Sequence, residues 1–205
     1  GGTCDVTIAY ISDDEIKILG TDGNHRLGGK DWDDALAGYL ADQFLEQFDI
    51  DLNEDPKMTI TLQDLAEKVK KQLSAKPTAK VVVRYGGHAE IYIVTREIFD
   101  DITAYNLNIT KDVIKKLLGE LHMTWSDIDG VLLVGGSTRM PQVKQYLTEM
   151  CGRPPMNGVN VDEAVALGAA IRANIDADGQ VSREVRLSIG GSQRRNAVGG
   201  AERRD

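Results

Sequence analysis

Apolar and polar residues alternate over residues 6–11 and again over 15–19, on either side of Ser12-Asp13-Asp14. A period of two around a polar turn predicts a β-hairpin. A second turn is expected at Thr21-Asp22-Gly23-Asn24. Leu27-Gly28-Gly29 punctuates the chain, and a helix is expected from Asp31. Its apolar stripe, Trp32, Leu36, Leu40, Phe44 and Phe48, recurs at every fourth residue. Residues 49–57 read as an acidic loop with a proline near its end. Thr61 is expected to cap a second helix, with Asp64 at the capping-box position. Leu62, Leu65, Ala66, Val69 and Leu73 form its apolar side, and Pro77 stops it. Residues 79–85 and 89–94 predict another hairpin around Gly86-Gly87. Thr95 then caps a long helical stretch carrying Ile98, Phe99, Ile102, Tyr105, Val113, Leu117, Leu118 and Leu121. Residues 130–134 read as a short strand buried on both faces. A loop follows, and Pro141 opens a helix at its first turn. The last helix is expected from Asp162, through Ala164, Leu167, Ala170 and Ile171. Residues 181–189 allow one more strand. Residues 192–205, rich in Arg and Gly, read as disordered.

Composition narrows the class. The chain has 205 residues, 41% of them hydrophobic and 27% charged, enough for one large domain or two small ones. The formal net charge of -8 offers no field to attract nucleic acid or an anionic membrane. Neither is expected as a partner, and a phosphate ligand would need local donors. Cys4 and Cys151 stand far apart and make no disulfide framework. His25, His88 and His122 add no metal-ligand spacing. A reduced, cytoplasmic protein is the plain reading, without a signal peptide or a membrane-length apolar run. The opening Gly1-Gly2-Thr3-Cys4-Asp5 lacks Met and enters a strand at once, so a segment of a longer protein is expected.

Candidate chemistry lies in four places. Gly135-Gly136-Ser137-Thr138-Arg139, between an apolar run and a Pro-led helix, has a phosphate-binding layout. Glycines let the backbone approach an anion and amide N–H groups aim at it. Ser137 and Thr138 add hydroxyls, and Arg139 adds a planar cation. A tight strand-to-helix turn is the plain alternative, and Gly-Gly alone would favour it. Gly1-Gly2-Thr3 has similar logic at the other turn, with Asp5 able to support a cation; a solvated strand end is the alternative. Glu67, Lys70, Lys71 and Ser74 share one stripe of their helix, at about 100° per residue. That stripe is either a solvated face with a Glu67–Lys71 pair or a polar wall against a nucleoside. Asp162 is either a helix cap or part of a purine pocket beside Arg139.

Taken together these strings resemble the 70-kDa heat-shock chaperones of the DnaK type. Gly1-Gly2-Thr3-Cys4-Asp5-Val6 resembles their second phosphate motif. Leu27-Gly28-Gly29-Lys30-Asp31-Trp32-Asp33 resembles the entry to their upper subdomain. Residues 67–74, Glu-Lys-Val-Lys-Lys-Gln-Leu-Ser, resemble their adenosine-binding helix. Residues 134–141, Val-Gly-Gly-Ser-Thr-Arg-Met-Pro, resemble their adenosine loop, and residues 162–166 and 168–170 the helix after it. The motifs keep family order over about residues 1 to 175.

The resemblance implies an α/β fold: the C-terminal half, lobe II, of an actin-like ATPase. It would have a ribonuclease-H-like core in residues 1–27 plus 106–178, an inserted α+β upper subdomain in 28–105, and a flexible tail in 179–205. It implies ATP or ADP as ligand, with Mg2+ accompanying the nucleotide and K+ near Asp5. Gly1, Gly2 and Thr3 would meet the β- and γ-phosphates, and Gly135 and Gly136 the α- and β-phosphates. Glu67, Lys70, Lys71 and Ser74 would face ribose and base; Ser137, Arg139 and Asp162 would border the adenine. Implied partners are the N-terminal ATPase lobe, a nucleotide-exchange factor, co-chaperones and unfolded clients. The sequence departs from the family pattern at Cys4, usually aromatic, at Lys71, usually Arg, and at Lys30, usually acidic. The family's first phosphate loop and its catalytic Lys, Glu and Asp precede the string that opens this chain. No residue here is therefore assigned to catalysis, and little or no hydrolysis is expected of half a cleft. Competing readings are a nucleotide-independent binding lobe for exchange factors, and a fragment of another actin-superfamily ATPase or kinase.

Overall fold

The computed structural model describes residues 2–12, 15–156 and 160–178. Gly1 and the expectations for residues 179–205 lie outside them. The chain divides into two compact units, residues 1–131 with 135–155, and residues 132–134 with 156–205.

In the first unit, β1 (Cys4–Ile11) and β2 (Ile16–Asn24) pair antiparallel as the first hairpin. The turn expected at residues 21–24 is instead the end of β2, with Thr21 opposite Thr7 and Asn24 opposite Cys4. The strand runs through because Gly23 lets the chains close up: a Cβ there would meet the Cys4 carbonyl at 2.7 Å. The register slips between Ile8 and Ala9, leaving Leu19 as the extra residue of a bulge.

Helix α1 (Gly29–Phe48) begins after Gly28, whose N–H donates to the Asp31 carboxylate at 2.7 Å. Four members of its predicted stripe, Trp32, Leu36, Leu40 and Phe44, are buried, and Phe48 packs at their margin. The expected acidic loop contains a short 3-10 turn (Leu52–Glu54). Helix α2 (Pro56–Ala75) starts five residues before Thr61. Asp55 is its cap, accepting from the Lys57 N–H at 2.8 Å, and Pro56 takes the first turn, where a missing donor costs nothing. Thr61 lies inside the helix and donates its hydroxyl to the Lys57 carbonyl.

Strands β3 (Thr78–Tyr85) and β4 (His88–Thr95) form the second hairpin. Gly86 and Gly87 both have positive φ, 58° and 82°, as a tight two-residue connection requires. Ala79, Val81 and Val83 alternate inward and join the α1 and α2 stripes in one core with Val94 and Phe99. The opposite face leaves Val82, Ile91 and Ile93 exposed.

Thr95 caps the next helix as expected, accepting from the Ile98 N–H. The stretch is two helices, α3 (Arg96–Ile102) and α4 (Ala104–Glu120), broken at Thr103. The fully buried Thr103 hydroxyl donates to the Phe99 carbonyl at 2.6 Å and accepts from Gln142 Nε2 at 3.1 Å. Helix α4 lies close on β2, where a Cβ at Gly20 would meet Leu117 and Leu121 at 3.1 Å. Helix α5 (Pro141–Cys151) opens on its proline as predicted.

The run at residues 130–134, of which 132–134 belong to the second unit, departs from expectation. Its pairing among the described residues is a single parallel bridge, Leu132 with Met156, and Leu132 is 48% exposed. An apolar run becomes a two-face-buried strand only where neighbours cover both faces. Helix α6 (Ala164–Asp178) starts after Asp162. Asn160 serves its entry: its side chain accepts from the Asp162 N–H and its carbonyl accepts from Glu163 and Ala164. No helix among the described residues is long and apolar enough to cross a membrane.

Candidate functional site

The loop ahead of α5 is held from within. Gly135 adopts φ 91°, which only glycine takes without strain. Its carbonyl accepts both the Thr138 N–H and the Thr138 hydroxyl, the latter at 2.7 Å. Residues 136–139 close into a 3-10 turn, and the Met140 N–H donates back to the Ser137 carbonyl. A Cβ at Gly135 or Gly136 would meet nothing within 4 Å. The fold itself does not crowd Gly136, so its bareness leaves backbone open to an outside group. Gly2 is equally open. That openness fits a phosphate cradle, in which a side chain would fill the space the anion takes.

Near the first turn, the Thr3 hydroxyl donates to Asp5 Oδ2 at 3.0 Å. Among the described residues no group of three His, Cys, Asp or Glu is placed to hold a metal. Behind Asp5, burial pushes the Cys4 thiol above its ordinary value, against a hydrogen bond from Thr110.

The polar stripe of α2 splits. Glu67 and Lys71 pair at 2.8 Å on the exposed side, and the Lys71 ammonium holds Glu67 below the usual glutamate value. The Ser74 hydroxyl donates to the Lys70 carbonyl, one turn back. Lys70 instead turns onto the start of α1. Its ammonium donates to the Gly29 carbonyl at 2.8 Å and to Asp33 Oδ2 at 2.6 Å. Both side chains are largely withdrawn from water, 12% and 14% exposed. Burial pushes the Asp33 carboxyl above the ordinary aspartate value, opposed by the Lys70 ammonium. Sequence reasoning did not find Asp33: helical period assigns Lys70 to a face without saying what packs against it. Ser137 and Arg139 lie in the 3-10 turn of the first unit, and Asp162 belongs to the second unit.

The arrangement is thus a mixed α/β chain with small sheets and an open glycine loop leading into a Pro-capped helix. The Hsp70 protein family profile matches residues 1–188, and the chain belongs to that family. It is 39% identical over 182 residues to the chaperone protein DnaK of Thermosipho africanus, covering 85% of this chain and 30% of that one. It is 39% identical over 197 residues to the chaperone protein DnaK of Thermotoga neapolitana, covering 91% and 33%. The same figures hold for that of Thermotoga maritima. The chain therefore spans about a third of the length of these relatives.

Proposed function

We propose that this chain is the adenine-nucleotide-binding lobe II of a DnaK-type chaperone ATPase, the half of an actin-like cleft that grips ATP or ADP. The carrying observation is the open loop at residues 135–139, braced by Thr138 and leading into α5, in a chain of the Hsp70 family. The proposed core is residues 1–27 with 106–178, and the proposed inserted subdomain is 28–105.

In this reading the amides of Gly2, Gly135 and Gly136 donate to phosphate oxygens, as N–H groups at a glycine turn do. Thr3 adds a hydroxyl, and Gly1 extends the same turn. Arg139 lies flat against the adenine, which a guanidinium does without needing to lose its charge, with Ser137 on the same loop; Asp162 is a separate adenine-contact candidate. Glu67, Lys70, Lys71 and Ser74 line the nucleoside side. The bound nucleotide brings Mg2+, which neutralises phosphate charge, and Asp5 supports a K+ ion. The role assigned to this chain is binding, with phosphoryl transfer completed by a partner lobe; exchange factor, co-chaperones and clients act on the whole protein. A cytosolic setting is part of the proposal.

Calorimetric titration with ADP–Mg tests it. Binding is expected in the wild type and at least about tenfold weaker binding in Arg139→Ala, the loss of one charged contact. A flat titration of the wild type, or affinity untouched by the substitution, sinks the reading. The exposed Val82, Ile91 and Ile93 on the β3–β4 sheet favour a second reading, a partner-binding lobe that needs no nucleotide. A flat ADP titration would leave that one standing.

A further inference from the structure

The peptide between Gly135 and Gly136 is of the kind easiest to rotate, since neither residue carries a Cβ. The bareness that keeps the loop open also gives this peptide no packing to hold it: a Cβ at either position would meet nothing within 4 Å. An open glycine pair is therefore a weak cradle by itself. Its amide is free to point outward or inward, and each ligand would have to order it on binding.

One side chain removes that freedom. The Gly135 carbonyl has two lone pairs, and Thr138 meets it with two donors, its N–H at 3.1 Å and its hydroxyl at 2.7 Å. The N–H bond belongs to the 3-10 turn and would form with any residue but proline at 138. The hydroxyl bond needs Ser or Thr there, reaching three residues back along the chain. In a trans peptide the C=O and the following N–H point opposite ways. Drawing the Gly135 carbonyl into the turn thus aims the Gly136 N–H away from it. The other bond of the turn, from the Met140 N–H to the Ser137 carbonyl, lies outside this peptide and does not orient it. We propose that Thr138 is a positioning residue whose hydroxyl locks the Gly135–Gly136 peptide, so that the Gly136 N–H faces a phosphate oxygen before the nucleotide arrives. The inference rests on the nucleotide reading above and adds to it a residue and a specificity: Thr138 acts on the phosphates and not on the nucleoside.

The test compares ADP–Mg with adenosine on the 205-residue chain, as wild type, Thr138→Val and Thr138→Ser. Valine keeps the branched shape and loses the hydroxyl; serine keeps the hydroxyl. Thr138→Val is expected to bind ADP–Mg about fivefold more weakly, the value of one neutral hydrogen bond, with adenosine affinity changed less than about twofold. Thr138→Ser should stay within about twofold of the wild type for both ligands. Equal weakening of both ligands in Thr138→Val would mean a structural role only and overturns the inference, as does an unchanged ADP affinity. If the wild type binds neither ligand, the nucleotide reading itself has failed, and this inference with it. A second measurement needs no variant. Relaxation dispersion of the Gly136 amide 15N should be flat in the ligand-free wild type, where one orientation is already held. Dispersion that disappears on adding ADP–Mg would show the ligand setting the peptide, and contradicts the proposal.

Discussion

Charge is used in two ways by single residues of this chain, and burial separates them. Lys71 and Glu67 meet in solvent, where pairing changes little. Lys70 and Asp33 meet between helices, where removing either partner strands the other. Asp22 and Lys116 lie between these extremes, joining β2 to α4 at 2.8 Å. The Lys116 ammonium, with the Gly23 N–H second, holds Asp22 below the ordinary aspartate value. A depressed carboxyl contributes stability that is present above its unfolded pKa and lost as pH falls through its folded pKa. Lys116→Met should therefore raise the Asp22 carboxyl pKa in an NMR titration and remove part of the acid dependence of unfolding below pH ~4. An Asp22 titration unmoved by the substitution would show that the strand amide alone sets it.

Among the elements, the break between α3 and α4 has a cause that one side chain supplies. Thr103 gives its proton to the Phe99 carbonyl and its lone pair to Gln142, while Gln142 Oε1 is left buried without a partner among the described residues. Thr103→Val should cost about 1–3 kcal/mol, the penalty for leaving a buried donor unmet. The double variant Thr103→Val with Gln142→Leu should cost less than the two single losses added together, since both polar partners leave at once. Urea unfolding of the four proteins measures this, and strict additivity would refute the coupling. None of this was visible in the sequence, where 95–121 reads as one apolar period. The α1 stripe and strand β3 were legible because every fourth or every second residue carries the burial, and the first hairpin because its residue types alternate around a polar turn. The start of α2 was missed because Asp55-Pro56 looked like the end of an acidic loop, although an aspartate before a proline is itself a helix-opening signal. The open glycine loop was legible as a string. The Lys70–Asp33 contact was not, because it depends on how two helices dock.

At the scale of the whole molecule, apolar side chains are shared unevenly. Residues of α1, α2, β3 and β4 close a continuous core, whereas the β1–β2 ribbon leaves Tyr10, Ile11, Ile16 and Ile18 in solvent. The register slip at Ile8/Ala9 divides this ribbon into two halves with different support. Below it, Gly20 presses on Leu117 and Leu121, and Lys116 ties down Asp22. Above it, Tyr10, Ile11, Ile16 and Ile18 are exposed, and a sparsely covered pair of strands is marginal in water. Amide hydrogens of residues 9–11 and 16–18 should then exchange with deuterium far sooner than those of 4–8 and 20–24. Uniform protection along the ribbon would contradict this, and a step at the bulge would mark it as the seam where the molecule begins to open.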